Sequence, residues 1–420
     1  MIDSYSTSIS SVVASLSLVL DCVDKAAMNH HLRVGFIGYH IGKEFGLEEP
    51  YLSNIALAGC LHDVGIFSTK DKISSLEFEP GLKDLNLHAE LAFFLLKEIK
   101  NLKDVAKIIR YHHVNWAEKP YKNEEEIPIG SYILHLADRI EVMLRKVYPL
   151  SVKRHEVIEY FKKNPNNMFM PELIEAFISL SNRIGFWFDM EYPKIEELVE
   201  GILPNFVLNL EDLMVFSNVI RKIIDYRSNF TAVHSVGVSA VAAEVGRIFN
   251  LSDIEIKLLK LAGYLHDVGK LAVPLEILEK PGKLTKEEWS FMMAHAYYSY
   301  RILDKLKGLK IIKFWGALHH EKPNGSGYPF GLKEEKLLLG SKIMSVSDVF
   351  VAISEDRPYR KGLEPNKIKE ILSNMAKDKS LDPLVTEEVL RHFDDFIAIR
   401  KEAQSKAKES YLELKEKINF

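Results

Sequence analysis

The chain has 420 residues, 47% hydrophobic and 27% charged, which fits a soluble globular protein of two or three domains without low-complexity tracts. A formal charge of −4 excludes global attraction to a nucleic acid polymer, so a phosphate-bearing ligand needs a local cation or a metal. Two cysteines, Cys22 and Cys60, cannot build a disulfide framework and point to a reducing cytoplasm; no segment reaches the ~18 uninterrupted apolar residues of a membrane span.

The opening stretch, MIDSYSTSISSVVASLSLVLDCVDKAAMNHH, lacks a basic leader and is broken by Asp21 and Asp24, so it is expected to form an amphipathic helix. Pro50 suits the first turn of a helix that runs into LAGCLHDVGI, with Gly65 near its end. The stretch EGILPNFVLNLED marks a joint. Beyond it, Ser252 and Glu255 form a capping box ahead of IEIKLLKLAGYLHDV, and Gly269 is placed to end that helix. Thr285 and Glu288 repeat the device before WSFMMAHAYYSYRIL. NGSGYP is isolated turn chemistry, and no alternating apolar run is long enough for a sheet. The closing run FIAIRKEAQSKAKESYLELKEKINF alternates charges, as in a long solvated helix that packs on the core or pairs with another copy in a homodimer. The expected fold is all-α: two tandem helical-bundle domains, 1–203 and 204–420.

The two halves repeat one pattern. His30, His62 and Asp63 match His234, His266 and Asp267 at 204 positions. His88, His112 and His113 match His295, His319 and His320 at 207, and Asp138 matches Asp348 at 210. A repeat this long is a duplicated domain, since solenoid units run only ~20–50 residues. NNMFMPELIEAFISL resembles DKSLDPLVTEEVLRHF, with Pro171 against Pro383, so the likeness extends past the histidines. An isolated His-Asp pair or a lone histidine is ordinary core or surface chemistry. The joint order H…HD…H…HH…D, present twice, instead points to two divalent-metal centres, because a carboxylate between imidazoles bridges two cations and imidazole suits iron, manganese, zinc or nickel. Five histidines and two aspartates buried without metal would be costly to desolvate. His31, His40, His135 and His155 have no counterpart and default to structural roles, although helix phase leaves His31 as an alternative to His30.

The second half is similar to the HD-GYP branch of the HD superfamily of metal-dependent phosphohydrolases. The matching text is HDVGKLAVPLEILEKPGKLTKEE, MMAHAYYSYRIL, HHEKPNGSGYP and SVSDVFVAISEDRPYR, with Gly327-Tyr328-Pro329 intact and Asn324 where the family often has Asp. The first half resembles a plain HD domain. The resemblance implies hydrolysis of cyclic di-GMP, a bacterial second messenger, to pGpG or GMP by a metal-bound hydroxide. It implies His234, His266, Asp267, His295, His319, His320 and Asp348 as ligands of two iron or manganese ions, with Asp267 bridging. Phe230 stands where some members carry a carboxylate for a third metal, so two ions are expected.

Lys270 follows His266 by four residues and suits a non-bridging phosphate oxygen or the leaving group. Arg357 and Arg360 are forked donors for phosphate or guanine, and Tyr328 suits a ligand contact. In the first half Ile66 replaces that lysine, and neither a GYP loop nor RPYR follows. That half is therefore expected to keep a metal centre while serving as a regulatory or structural domain, or as a different catalyst such as an HD-type diiron oxygenase. The rival readings of the second half are a phosphohydrolase for another cyclic dinucleotide or nucleotide, such as cyclic GMP-AMP, and a non-catalytic scaffold. In the scaffold reading the GYP loop is a candidate dock for a diguanylate cyclase or another signalling protein.

Overall fold

The structure is a computed structural model that describes residues 5–23, 28–68, 85–117, 126–144, 149–163, 168–227, 233–280, 282–356 and 361–418. The chain divides into an N-terminal unit, Ser8–Val207, and a C-terminal unit of Leu208–Phe420 with Met1–Thr7. Twenty α-helices and two strands of two residues each are present among the described residues, as expected for an all-α protein. No helix among them is long and apolar enough to cross a membrane.

In the N-terminal unit, helix Ile9–Val23 buries Ser11, Ser15 and Ser17 as well as Ile9, Val12, Val13, Leu16 and Val19, so it is a core helix enclosed on most sides and not the amphipathic surface helix expected. Helices His30–Glu44, Tyr51–Leu61, Leu85–Leu96, Lys103–Arg110 and Ile129–Leu144 then form the bundle that carries the histidines. Pro50 stands at the N-cap of Tyr51–Leu61, one residue before the turn expected for it. In the C-terminal unit the same order returns as His234–Ile248, Asp253–Leu265, Lys286–Asp304, Lys310–Ala317 and Leu339–Ser354. Both expected capping boxes are formed, Ser252 with Glu255 and Thr285 with Glu288. Pro171 and Pro383 each open a helix at a first-turn position, where the missing N–H is harmless. The closing helix, Phe393–Ile418, packs on His234–Ile248 along one side, burying Phe396, Arg400 and Gln404, while Asp394, Asp395, Lys401 and Glu402 remain exposed on the other.

The repeated LAG-x-LHDVG segment owes its glycines to close approach. A Cβ on Gly263 would lie 2.7 Å from Ser239 Cα, and one on Gly59 would lie 2.5 Å from Gly35 Cα, so each sits at a tight helix crossing. Gly269 does not end its helix, contrary to the expectation, whereas Gly65 lies near the end of its own, as expected. The helices finish at Leu265 and Leu61, and a tight 3-10 turn follows each. In that turn a Cβ on Gly269 would meet His295 O at 2.0 Å, and one on Gly65 would meet His88 O at 2.1 Å. The glycine lets the His-Asp turn press on the backbone that carries the next histidine.

Candidate metal centres

In the C-terminal unit, the seven matched residues converge. His234, His266 and Asp348 form one group, His295, His319 and His320 another, and His266, Asp267 and His319 link them. Asp267 lies between: its Oδ2 is 3.1 Å from His266 Nε2, while its Oδ1 is 3.4 Å from His295 Nε2 and 3.8 Å from His319 Nε2. Asp348 Oδ1 sits 3.0 Å from His234 Nε2 and 3.9 Å from His266 Nε2.

Local structure fixes which nitrogen faces the cavity. Nδ1 of His266, His295 and His319 lies 2.8, 2.5 and 2.7 Å from the carbonyls of Gly263, Met292 and Gly316, each three residues back. A carbonyl only accepts, so Nδ1 carries a proton and Nε2 is the nitrogen that faces inward. Burial lowers the pKa of His295 to about 3, and that of His319 well below the usual imidazole range, so both rings are neutral. For Asp267, burial works upward, but His266 and Lys270 overcome it and hold the carboxyl ionised. Lone pairs thus face a carboxylate. Nε2 of His266, His295 and His319 and Oδ1 of Asp267 are buried with no hydrogen-bond partner. Each such atom costs about 1–3 kcal/mol. A cation between them removes the conflict, so the donor set fits divalent metal.

His234 differs. Its Nδ1 is 3.0 Å from Glu355 Oε1 and its Nε2 3.0 Å from Asp348. Burial acts to lower its pKa, but the Glu355 and Asp348 carboxylates win and raise it to about 10. Glu355 is in turn held by Gln404 Nε2, which donates to Oε2 at 3.0 Å, and Arg400 donates to Gln404 Oε1 at 2.8 Å. The closing helix thereby reaches a candidate ligand through two side chains, a carboxylate–histidine arrangement that orients the ring.

Lys270 donates from Nζ to Asp267 Oδ2 at 2.5 Å. The Tyr328 ring lies on His320, centroids 4.7 Å apart, with half-exposed Trp289 beyond it at 6.4 Å. Buried Glu321 fixes the GYP loop by accepting from Phe330 N at 2.6 Å and Leu332 N at 2.7 Å. Asn324, the expected departure, is a loop staple: its Nδ2 donates to Asp378 O at 3.0 Å. Arg357, Arg360 and Phe230 lie outside the described residues, as does the side chain of Ile66.

The N-terminal unit brings together His30, His31, His62 and Asp63, with His88, His112 and His113 as a second group. Burial lowers the pKa values of His62, His88 and His112 to about 4. Nδ1 of His62 and His112 again donates to the carbonyl three residues back, at 2.8 and 2.6 Å. His31 stands beside His30 at the cluster, and both approach Asp63 Oδ2, at 3.7 Å for His30 and 3.5 Å for His31. Asp138 Oδ1 lies 3.5 Å from His30 Nε2, but its Oδ2 accepts from Arg139 Nε at 3.0 Å and Nη2 at 2.5 Å. His30 Nδ1 meets Glu141, which also accepts from Arg33 at 2.6 Å. Sequence matching missed Glu141, Glu355, Gln404, Arg139 and Trp289. The two glutamates were visible only as buried acids near the end of an otherwise apolar ligand helix, at different distances past the aspartate.

The HD-domain family matches the chain twice, over residues 28–143 and 218–385. The chain is 28% identical over 394 residues to the 3'3'-cGAMP-specific phosphodiesterase 1 of Vibrio cholerae, covering 91% of each protein. It is also 28% identical over 419 residues to that organism's 3'3'-cGAMP-specific phosphodiesterase 3, covering 87% of this chain and 90% of the relative. A cyclic di-GMP phosphodiesterase of Thermotoga maritima is 30% identical over 242 residues, covering 55% of this chain and 64% of the relative. The crystal structure of a cyclic GMP-AMP-specific phosphodiesterase of V. cholerae shares the fold, with a TM-score of 0.64 at 24% identity over 95% of this chain and 98% of that one. Two HD domains in series, each with clustered histidines and aspartate, make this chain a tandem-domain member of the HD superfamily of phosphohydrolases.

Proposed function

We propose that the protein is a metal-dependent cyclic dinucleotide phosphodiesterase whose hydrolytic site is the C-terminal centre. The observation that carries this reading is Asp267, a buried carboxylate whose two oxygens face different imidazole groups while Lys270 holds one of them. His234, His266 and Asp348 would hold one ion, His295, His319 and His320 the other, and Asp267 both. Five imidazoles with two carboxylates suit iron or manganese. Two such ions supply a hydroxide nucleophile at neutral pH and neutralise phosphate charge.

The remaining work falls to the chain's own groups. Lys270 brings an ammonium to the cavity, suited to a non-bridging phosphoryl oxygen or the leaving group. Tyr328 and Trp289 offer aromatic faces beside the ligands, suited to stacking a nucleobase. Arg357 and Arg360 complete the proposed phosphate and base contacts. The N-terminal unit would act as a regulatory or structural domain.

Cyclic GMP-AMP is the first substrate to assay, because the relatives that carry that name align along both halves of the chain. Cyclic di-GMP, expected from the sequence, is the second. Purified protein loaded anaerobically with iron or manganese should convert one or both to linear dinucleotide or mononucleotide, read by chromatography. Replacing Lys270 by Ile, the residue of the other half, should lower kcat by roughly 10²–10³-fold. Absence of turnover with either substrate at full metal loading would overturn the proposal.

A further inference from the structure

The first histidine of each centre is backed by the same chemistry drawn from different parts of the chain. In the N-terminal unit Glu141 stands behind His30 Nδ1. Arg33, about one turn along the helix that carries His30, donates to Glu141 Oε1 from Nε at 2.9 Å and from Nη2 at 2.6 Å. At the 204-residue offset the position of Arg33 is Gly237, so the helix His234–Ile248 brings no side chain there. The closing helix takes that space instead. A Cβ on Gly237 would lie 2.9 Å from Gln404 Nε2 and 3.3 Å from Arg400 Cγ. Gln404 Nε2 donates to Glu355 Oε2 at 3.0 Å and to Val233 O at 3.3 Å, so it grips both the carboxylate behind His234 and the backbone just before that ring. Its Oε1 accepts from Arg400 Nη1 at 2.8 Å, which fixes the amide with its donor side toward the glutamate. Both side chains are buried, so water competes little for these bonds.

We infer that Gln404, braced by Arg400, is a positioning residue for His234, and that docking of the closing helix is thereby linked to metal binding at the C-terminal centre. The N-terminal unit orients His30 with a glutamate held from the ligand helix itself. The C-terminal unit orients His234 with a glutamate held from a helix that must first pack against it, and Gly237 is what leaves room for the two side chains that do so. Linkage is reciprocal: a docked helix that improves metal affinity by some factor is itself held in place by the bound ion by the same factor. This inference rests on the reading of the C-terminal cluster as a metal centre, and adds to it a residue that acts on a ligand through Glu355.

Chelator competition on the full-length chain measures the affinities, and the ions lost in Asp267→Asn identify those of the C-terminal centre. Gln404→Leu keeps the bulk of the side chain and removes the amide. It should weaken the C-terminal centre by about tenfold, the lower end of what outer partners of metal ligands contribute, and leave the N-terminal centre unchanged. Glu355→Ala should weaken it further. Adding Gln404→Leu to Glu355→Ala should then cost no more than about another twofold, because a relay cut at the glutamate has nothing left to transmit, whereas independent packing effects multiply. Hydrogen exchange over the closing helix gives a second readout: metal loading should slow it in the wild type, and by less in Gln404→Leu at saturating metal. Wild-type affinity in Gln404→Leu, losses that multiply in the double variant, or equal slowing of exchange in both proteins would overturn the relay while leaving the metal centre in place. An ion count unchanged by Asp267→Asn would remove the metal reading, and this inference with it.

Discussion

Each unit presses a His-Asp turn against the helix that carries its next histidine, yet the two surround their shared aspartate with different company. In the C-terminal unit a lysine, Lys270, sits on Asp267, the carboxylate placed between the imidazole groups. In the N-terminal unit the described cation at the cluster is Arg139, which holds Asp138 at the edge. A lysine is a flexible point charge that can be redirected to a ligand, whereas a guanidinium fork bound through two nitrogens is a fixed clamp. The same histidine order thus stands beside a lysine on the central carboxylate in one unit and beside an arginine on the outer carboxylate in the other. Duplication kept the cage and changed what stands beside it.

The sharpest way to break this contrast is to remove each shared carboxylate. Asp267→Asn should lower cyclic dinucleotide hydrolysis by at least the roughly 10²–10³-fold that loss of one transition-state donor costs. Asp63→Asn, verified as folded by circular dichroism, should leave kcat within a few-fold of wild type. Equal losses in two folded variants would end the division of labour.

A smaller effect should come from the carboxylates behind the first histidines. Glu355→Gln should weaken metal retention in the C-terminal centre, and Glu141→Gln in the N-terminal one, each by roughly 10–100-fold in affinity. Competition with a chromophoric chelator measures both. The C-terminal centre carries a further signature. With its pKa raised to about 10, His234 is protonated in the metal-free protein at neutral pH, and ligation through Nε2 must expel that proton. Affinity should therefore rise with pH up to about 10. Calorimetry in buffers of different ionisation enthalpy reads the proton released, and Glu355→Gln should diminish it.

The smallest effect should also be the most symmetrical. Gly269→Ala and Gly65→Ala each drive a methyl group into a histidine carbonyl, so each should destabilise its unit by about 1–3 kcal/mol in chemical denaturation. A large loss at one position and none at the other would mean that the two turns are not equivalent.

Much of this was legible in the sequence because it depends on local order. Capping boxes at Ser252 and Thr285, first-turn prolines at Pro171 and Pro383, and the doubled H…HD…H…HH…D series are short-range patterns, and helix periodicity converts them into faces and ends. Gly269 reads as a helix terminator in the sequence because a string of residues shows a flexible backbone position but not the neighbour that requires it. Which groups complete each centre was settled only by long-range packing. His31 looks like an unmatched histidine until the helix His30–Glu44 lies against the turn at Asp63. Glu141 and Glu355 reach equivalent imidazoles from different turns of their helices, so no register could pair them. Gln404 joins the network from a helix 170 residues beyond His234, through contacts that exist only once the bundle has closed. Ligand order is written along the chain, but the partners that set the charge and tautomer of a metal cage are through-space neighbours, and only the folded chain selects them.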